Sequence, residues 1–224
     1  MSDFTVTLGE LSREDLRSES SFDALMCRVS DIFIASVVLL FVAPLLFSVM
    51  VLVWAQDGGP MIFAHKRVGR GGQMFKCLKV RTMRMDADVQ LAKILASDPE
   101  AKAEWDRDQK LRNDPRITKI GNFLRRSSLD EFPQLFNVLK GEMSLVGPRP
   151  IVPAEVARYG RRFQDYARVK PGITGLWQVS GRNHTTYRRR VALDVMYSRV
   201  FSLGLYFRIL FMTVPAVLLS KGSF

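Results

Sequence analysis

The residues best suited to chemistry are two adjacent carboxylates, Asp130 and Glu131, in a basic setting. Arg125 precedes the pair and Arg149 follows it. Guanidinium groups bind phosphate oxygens through paired hydrogen bonds, one carboxylate can hold Mg²⁺, and another can attack as a nucleophile. The pattern therefore indicates a reaction at phosphorus.

A structural interpretation of the same carboxylates is also available. Ser128 and Glu131 have the spacing of a capping box. Asp130 is itself a good N-cap, which would place Pro133 in the first turn of a helix. A helix N-terminus also favours an anionic carboxylate and attracts phosphate, so capping and catalysis are compatible.

Lys79, Arg81 and Arg149 are further candidates for phosphate binding. Lys79 and Arg81 have the spacing of two side chains on one face of a strand. Arg149 stands between Pro148 and Pro150, whose restricted backbones lower the entropy cost of holding a guanidinium in place. In isolation, such residues are equally typical of a solvated face or a rigid loop.

The composition limits the partners and the compartment. The chain has 224 residues, which fits one catalytic unit, and its formal charge of +11 predicts an anionic partner: nucleic acid, an acidic membrane or a phosphorylated substrate. Cys27 and Cys77 form no disulfide framework, so a reducing compartment is expected. His65 and His184 lie outside any metal-binding spacing, and we expect neither to be a ligand.

A long apolar segment must position the site relative to a membrane. Residues 32–55 carry no charge and would form a helix about 36 Å long, which exceeds the roughly 30 Å of bilayer hydrocarbon. The segment could cross the membrane. Alternatively, Pro44 could bend it so that it leaves by the face it entered, since basic residues flank both ends and such flanks favour the cytoplasm.

The remaining elements predict an α+β fold that is mainly helical. We expect two strands joined by a glycine-rich turn, a helix from 86 to 111 interrupted at Asp98-Pro99, a short helix stopped by Gly141, and an apolar helix from 203 to 219 lying in the membrane interface or crossing it. The predicted divisions are a flexible tail (1–22) that is not a signal peptide, a membrane helix (23–58) and a catalytic part (59–224).

Five ordered strings resemble the small monotopic phosphoglycosyl transferases, the bacterial sugar transferase family that starts exopolysaccharide, O-antigen and glycoprotein glycan assembly. The resemblance runs from about Ser21 to the C-terminus. The strings are FKCLKVRTM (75–83), DPRIT (114–118), LRRSSLDEFPQ (124–134), MSLVGPRP (143–150) and KPGITGLWQVSGR (170–182).

The resemblance implies roles for individual residues. It makes Asp130 the nucleophile, Glu131 the Mg²⁺ ligand with Asp130 beside it, and Arg125, Arg149 and Lys79 the phosphate-handling residues. Pro44 matches a proline that breaks a re-entrant helix in the cytoplasmic leaflet, so the chain is expected to be monotopic. Asp194 and Tyr197 match a family pattern and are expected to support the site.

Three positions depart from the family pattern. Ala43 precedes Pro44 where Ser is frequent, which puts in doubt a side-chain hydrogen bond that would help the bend. Val80 stands where Phe is usual, and this is a packing change. Tyr206 lies where Asp is common, so no role is carried over to it.

The expected reaction transfers a hexose 1-phosphate from a UDP-sugar to undecaprenyl phosphate, releasing UMP, at the cytoplasmic face of the bacterial inner membrane. The last residues, 215–223, resemble members that load galactose or glucose. Membrane lipids are expected partners and nucleic acid is not, whereas an oligomer is possible. The alternatives are direct transfer with Asp130 only as a metal ligand, and a membrane-tethered basic module without catalysis.

Overall fold

The structure is a computed structural model that describes residues 21–108, 111, 113–180 and 186–218. Most of the expected tail, His184 and the last residues lie outside the described part. The helices are α1 (Ser21–Asp57), α2 (Ala87–Ser97), α3 (Pro99–Asp108), α4 (Lys119–Ser127), α5 (Gln134–Lys140), α6 (Val156–Tyr159), α7 (Phe163–Arg168), α8 (Leu176–Val179), α9 (Tyr187–Arg199) and α10 (Leu203–Leu218). The strands are β1 (Ile62–Val68), β2 (Met74–Val80), β3 (Ser144–Val146) and β4 (Gly172–Thr174).

The predicted hairpin and the predicted helix interruption are confirmed. Strands β1 and β2 pair antiparallel, with Phe63 opposite Lys79 and His65 opposite Cys77. Asp98 separates α2 from α3, and its carboxylate accepts hydrogen bonds from the backbone N–H groups of Glu100 and Ala101. The mainly helical α+β fold is therefore as the sequence indicates.

Helix α1 continues through Pro44 and would extend about 55 Å if straight. Among the described helices it is the one long and apolar enough to cross a membrane. One side of its first half packs against α5, α10 and β3, and one side of its second half packs against Val80 and Leu124. Its other side exposes large apolar side chains, including Phe33, Phe41 and Trp54.

Asp31 joins the first half of α1 to the rest of the protein. Its Oδ1 accepts hydrogen bonds from the hydroxyl of Ser144 (3.1 Å), the backbone N–H of Leu145 (2.8 Å) and the hydroxyl of Tyr206 (2.8 Å). Tyr206, to which no role was assigned from the sequence, thus connects α10 to α1. A buried carboxylate requires such donors because desolvation without compensation is costly.

The part of the protein around α6, α7 and α9 forms a separate core that is free of contacts with the apolar helix. Tyr159, Tyr166 and Val191 are at its centre. Between residues 137 and 210, none of the described large hydrophobic side chains is exposed. We call this region the water-facing lobe, in contrast to the apolar surface of α1.

A close backbone approach holds α4 against the segment that follows β2. Thr118 donates a backbone hydrogen bond to Thr82 O at 3.1 Å. A Cβ on Gly121 would lie 2.0 Å from the same carbonyl oxygen, so this position has no room for a side chain. The absent side chain therefore allows the site-bearing helix α4 to approach Thr82.

We expect Gly121→Ala to destabilise the protein by roughly 1–3 kcal/mol, because overpacking outweighs the helix propensity gained from alanine. Gly204→Ala is the matched control, since its Cβ would meet nothing within 4 Å. Denaturation in detergent measures both. Equal stability of the two variants would contradict this account of α4 packing.

Candidate active site

Asp130 lies in a 3₁₀ turn, Leu129–Glu131, between α4 and α5. The turn is entered through Ser128, whose φ of 58° is left-handed, and its side chain makes no cap hydrogen bond. Helix α5 begins only at Gln134, with Pro133 at its N-cap position. The capping interpretation of Asp130 and Ser128 is therefore wrong: the turn presents the carboxylate to its surroundings.

Lys79 of β2 lies beside both carboxylates. Its Nζ is 2.7 Å from Glu131 Oε1 and 3.8 Å from Asp130 Oδ2. Asp130 is buried, and burial raises the pKa of its carboxyl group, whereas the positive charges of Lys79 and Arg125 lower it and the charge of Glu131 raises it further. Lys79 thus favours the anionic, nucleophilic form of Asp130.

Arg125 lies on the other side of Asp130, in the last turn of α4. Its Nε donates to Thr82 Oγ1 at 2.9 Å, which orients the guanidinium. Asp114 also acts electrostatically on Arg125 and holds Arg116 in a buried, two-point ion pair of 2.8 and 2.6 Å. The Asp-Pro-Arg string therefore supports the site from behind.

Asn137 fixes the distance between the carboxylates and Lys79, a role that the sequence analysis missed. Its side-chain oxygen accepts from Leu78 N at 3.0 Å, and its side-chain nitrogen donates to Lys76 O at 2.8 Å and to Glu142. These bonds satisfy β2 backbone groups on both sides of Cys77. A buried Asn within the otherwise apolar string LFNVL is the signal that could have identified it.

Three arginines form what we call the arginine cluster: Arg67, Arg149 and Arg190. The guanidinium carbons of Arg149 and Arg190 lie 5.9 and 4.2 Å from the ring centre of Trp177. Burial and then the charge of Arg149 lower the pKa of both Arg67 and Arg190. Such mutual repulsion between buried cations indicates a place for an anion.

The arginine cluster is electrostatically continuous with the carboxylates through Cys77. This buried thiol is influenced by Lys79 and Glu131 and also by Arg67 and Arg149. A path of positive charge thus runs from Asp130 along β2 to the arginine cluster. The predicted residues Lys79, Arg125 and Arg149 border this path, and the sequence analysis missed the contributions of Arg67 and Arg190.

Asp194 is buried under the arginine cluster. It accepts a hydrogen bond from the Tyr159 hydroxyl at 2.8 Å. Burial raises the pKa of Asp194 to about 7, although Tyr159, the Arg149 backbone N–H and the charge of Arg190 lower it. Its surroundings place Asp194 as a support for Arg149 and Arg190, while Tyr197 donates to Val146 O at 3.1 Å.

Arg81 lies outside this path. Strand β2 ends at Val80, and the Arg81 guanidinium binds the carboxylate of Asp57 and the Val53 carbonyl at the end of α1. The strand-face argument that paired Arg81 with Lys79 therefore misplaced its side chain. In this position Arg81 anchors α1 rather than a substrate phosphate.

The donor set at Asp130 and Glu131 fits magnesium better than a metal held by protein alone. Within the described ranges, no three His, Cys, Asp or Glu side chains group in a way that could hold a metal ion. Mg²⁺ is usually bound by one or two carboxylates together with substrate phosphates and water. Two adjacent carboxylates at the end of a basic path meet that requirement.

Comparison with known proteins places the chain in a class. Residues 22–220 match the family model for the bacterial sugar transferases, and the chain belongs to this family. The resemblance read from the five strings is thereby confirmed.

Particular relatives differ in length. The chain is 48% identical to the exopolysaccharide production protein ExoY of Rhizobium meliloti (strain 1021), covering 88% of this chain and 87% of ExoY. It is 50% identical to the undecaprenyl-phosphate galactose phosphotransferase of Salmonella typhimurium (strain LT2), covering 88% of this chain but 41% of that protein. Against the UDP-glucose:undecaprenyl-phosphate glucose-1-phosphate transferase of Escherichia coli K12, identity is 37% over 92% of this chain and 43% of the relative.

Proposed function

We propose that the protein is a phosphoglycosyl transferase that moves a hexose 1-phosphate from a UDP-sugar to undecaprenyl phosphate through a covalent intermediate on Asp130. The observation that supports this most directly is the buried Asp130 carboxylate, 3.8 Å from Lys79 and in the field of Arg125. An anion held among cations in a partly dry site is suited to attack on a phosphoryl group.

The reaction comprises two displacements at one phosphorus. An oxygen of Asp130 attacks the phosphorus that carries the sugar, the bond from that phosphorus to the bridging oxygen breaks, and UMP leaves with the electron pair. An oxygen of undecaprenyl phosphate then attacks the same phosphorus. The bond to Asp130 breaks, the carboxylate is restored, and the product is a polyprenyl diphosphate sugar.

Each basic residue has a part in this scheme. Lys79 and Arg125 stabilise negative charge on the phosphoryl oxygens around Asp130. The arginine cluster holds the rest of the diphosphate. Glu131, with Asp130 beside it, would hold Mg²⁺, which supplies charge neutralisation on the diphosphate when bound.

A re-entrant, monotopic placement of α1 follows from its packing. Arg28 in its first half donates to carbonyls of α5, and Asp57 at its end binds Arg81 after β2. Both ends of α1 therefore contact one body, which also carries Lys79 and Arg125. A straight crossing would carry these charges into the hydrocarbon, at a cost of several kcal/mol. We propose instead that α1 enters and leaves by the cytoplasmic face of the bacterial inner membrane.

The sugar and the pathway are proposed from the relatives. Those named for a substrate act on galactose or glucose, and ExoY is named for exopolysaccharide production. We propose galactose or glucose 1-phosphate as the transferred group and the first membrane step of exopolysaccharide assembly as the role. Undecaprenyl phosphate and Mg²⁺ complete the set of reactants.

A donor panel tests this function. Purified protein in detergent, with Mg²⁺ and undecaprenyl phosphate, is expected to release UMP from UDP-galactose or UDP-glucose. Turnover only with N-acetylated sugars would overturn the sugar assignment. Absence of UMP release from every UDP-sugar, in protein shown to be folded, would overturn the proposed function.

The pH dependence of the rate tests the role of Lys79. Asp130 reacts as the anion, and removing the Lys79 charge leaves burial and Glu131 to raise the Asp130 pKa. In Lys79→Met, we expect activity to be lost at higher pH as the solution is acidified, with the acid limb displaced upward by about one pH unit. Lys79→Arg is the control and is expected to retain most of the wild-type limb. An unchanged limb in Lys79→Met would contradict the assignment.

Cysteine labelling tests the topology. With Cys27 and Cys77 replaced, single cysteines at Ser21 and Gln73, both exposed, are expected to resist an impermeant thiol reagent in intact cells. Permeabilised cells, where both sites react, provide the control. Labelling of the Ser21 site alone in intact cells would establish a crossing helix.

A further inference from the structure

A second cluster of basic residues lies at the opposite end of α5 from Asp130. A cavity of about 80 Å³ opens there, between the first turns of α1, the hairpin turn and the residues around Lys170. Its charged lining residues are Arg28, Asp31, Arg70 and Lys170. None of these takes part in the proposed phosphoryl transfer.

The charges around this cavity do not balance. The Arg28 and Lys170 head groups lie 3.4 and 3.6 Å from the position that a Cβ on Gly141 would occupy, so the two cations face each other across one glycine. The lining carboxylate of Asp31 already accepts three hydrogen bonds from Ser144, Leu145 and Tyr206 through Oδ1. Three cations against one engaged carboxylate leave the cavity positive.

The behaviour of Lys170 agrees with this imbalance. Burial and then the charge of Arg28 lower the pKa of its ammonium group, Asp31 raises it, and Arg70 lowers it again. Arg28 is partly compensated, since it donates to the carbonyls of Val138 and Leu139 at the end of α5. An anion in the cavity would relieve the repulsion that remains.

The position of the cavity identifies the kind of anion. Ala24, Cys27, Arg28 and Asp31 of α1 line it, on the turns just before the charge-free run begins. The same turns expose Phe22, Leu25 and Val29 on their outer side. Given the proposed membrane placement, on which this inference rests, the cavity lies at the level of lipid head groups, with apolar surface beside it for acyl chains.

We propose that this cavity binds the phosphate group of an anionic phospholipid, separately from the catalytic site. Its volume exceeds the roughly 10–15 Å³ that a single water needs and so admits a phosphate group. A lipid bound here holds the first turns of α1 against β3 and α10 and so sets the depth of the protein in the membrane.

The test measures lipid retention by the intact protein. After reconstitution in phosphatidylcholine with a small fraction of phosphatidylglycerol, detergent-extracted wild-type protein is expected to retain about one phosphatidylglycerol per chain in native mass spectrometry. Combined Arg70→Gln and Lys170→Gln is expected to lower that retention roughly tenfold to thirtyfold, the scale for two cations near an anionic surface. Arg161→Gln with Arg162→Gln removes the same charge from the water-facing lobe and is expected to leave retention unchanged.

Several outcomes would overturn the assignment. Equal loss in the two double variants would reduce it to general electrostatic attraction. Preferential retention of undecaprenyl phosphate would assign the cavity to the acceptor, and displacement of the lipid by inorganic phosphate at millimolar concentration would make the site one for free phosphate. Arg70→Gln alone, on an exposed hairpin turn, is expected to give a partial loss without unfolding, and full retention would count against the proposal. The UMP burst, measured on the same samples, separates a failure of this site from a failure of the proposed function.

Discussion

Asp130→Asn is expected to abolish transfer, lowering turnover by several orders of magnitude, the range seen when enzymes lose a nucleophile. Wild-type protein mixed with Mg²⁺ and UDP-sugar, but no lipid acceptor, is expected to release UMP in a burst of about one per active site. The protein should gain the mass of a sugar phosphate, and peptide mapping should place that mass on Asp130. The substitution keeps the side-chain shape, and Asp130 makes no cap bond that the fold requires.

Glu131→Gln is the matched control at the neighbouring position. It is expected to lower the rate and weaken the Mg²⁺ dependence while the covalent mass still appears on Asp130. If Asp130→Asn retains more than a few per cent of turnover, or if UMP appears only when the lipid acceptor is present, the covalent mechanism is wrong. Direct transfer, with Asp130 as a metal ligand, would then be the better account.

Asn137→Ala is expected to destabilise the protein by about 3 kcal/mol and to lower turnover by roughly 100-fold. The substitution leaves the Leu78 N–H and the Lys76 carbonyl without their side-chain partner, and each unsatisfied buried group costs about 1–3 kcal/mol. It also frees β2 from α5, and a displacement of about 1 Å in a positioned group can cost about 10²-fold in rate. Denaturation in detergent and UMP release measure the two effects.

Asn122→Ala provides the comparison for this variant. Asn122 is an exposed residue of α4, and its substitution is expected to change stability by less than about 0.5 kcal/mol. Comparable stability and rate in the two variants would show that Asn137 does not set the distance between β2 and the carboxylates.

The sequence predicted the elements that depend on local signals. The glycine-rich turn between the two strands, and Asp98 beside Pro99, specify their structures through backbone preferences that short strings carry. Asp130, Glu131 and Lys79 could likewise be brought together before the fold was known, through the five ordered strings. Their separation of 51 residues along the chain gives no such indication by itself.

Contacts between distant segments could not be predicted in this way. Strand periodicity placed Arg81 beside Lys79, but β2 ends one residue earlier, and the nearby Asp57 captures the guanidinium. The capping signature at Ser128 failed because its left-handed backbone turns the chain before α5 begins. Asn137, Arg67 and Arg190 acquire their roles only when β1, α5 and α9 have assembled.

The hydrogen bond between Asp31 and Tyr206 sets an order for folding during synthesis. The two residues are 175 positions apart, so α1 leaves the ribosome long before its partner is made. At about 5–20 residues per second, the delay is roughly 10–35 s. During that interval the Asp31 carboxylate must remain hydrated at the membrane surface, because neither Ser144 nor Tyr206 is yet present to receive it. The nascent helix can therefore settle into the lipid first, but its final seating awaits the end of translation.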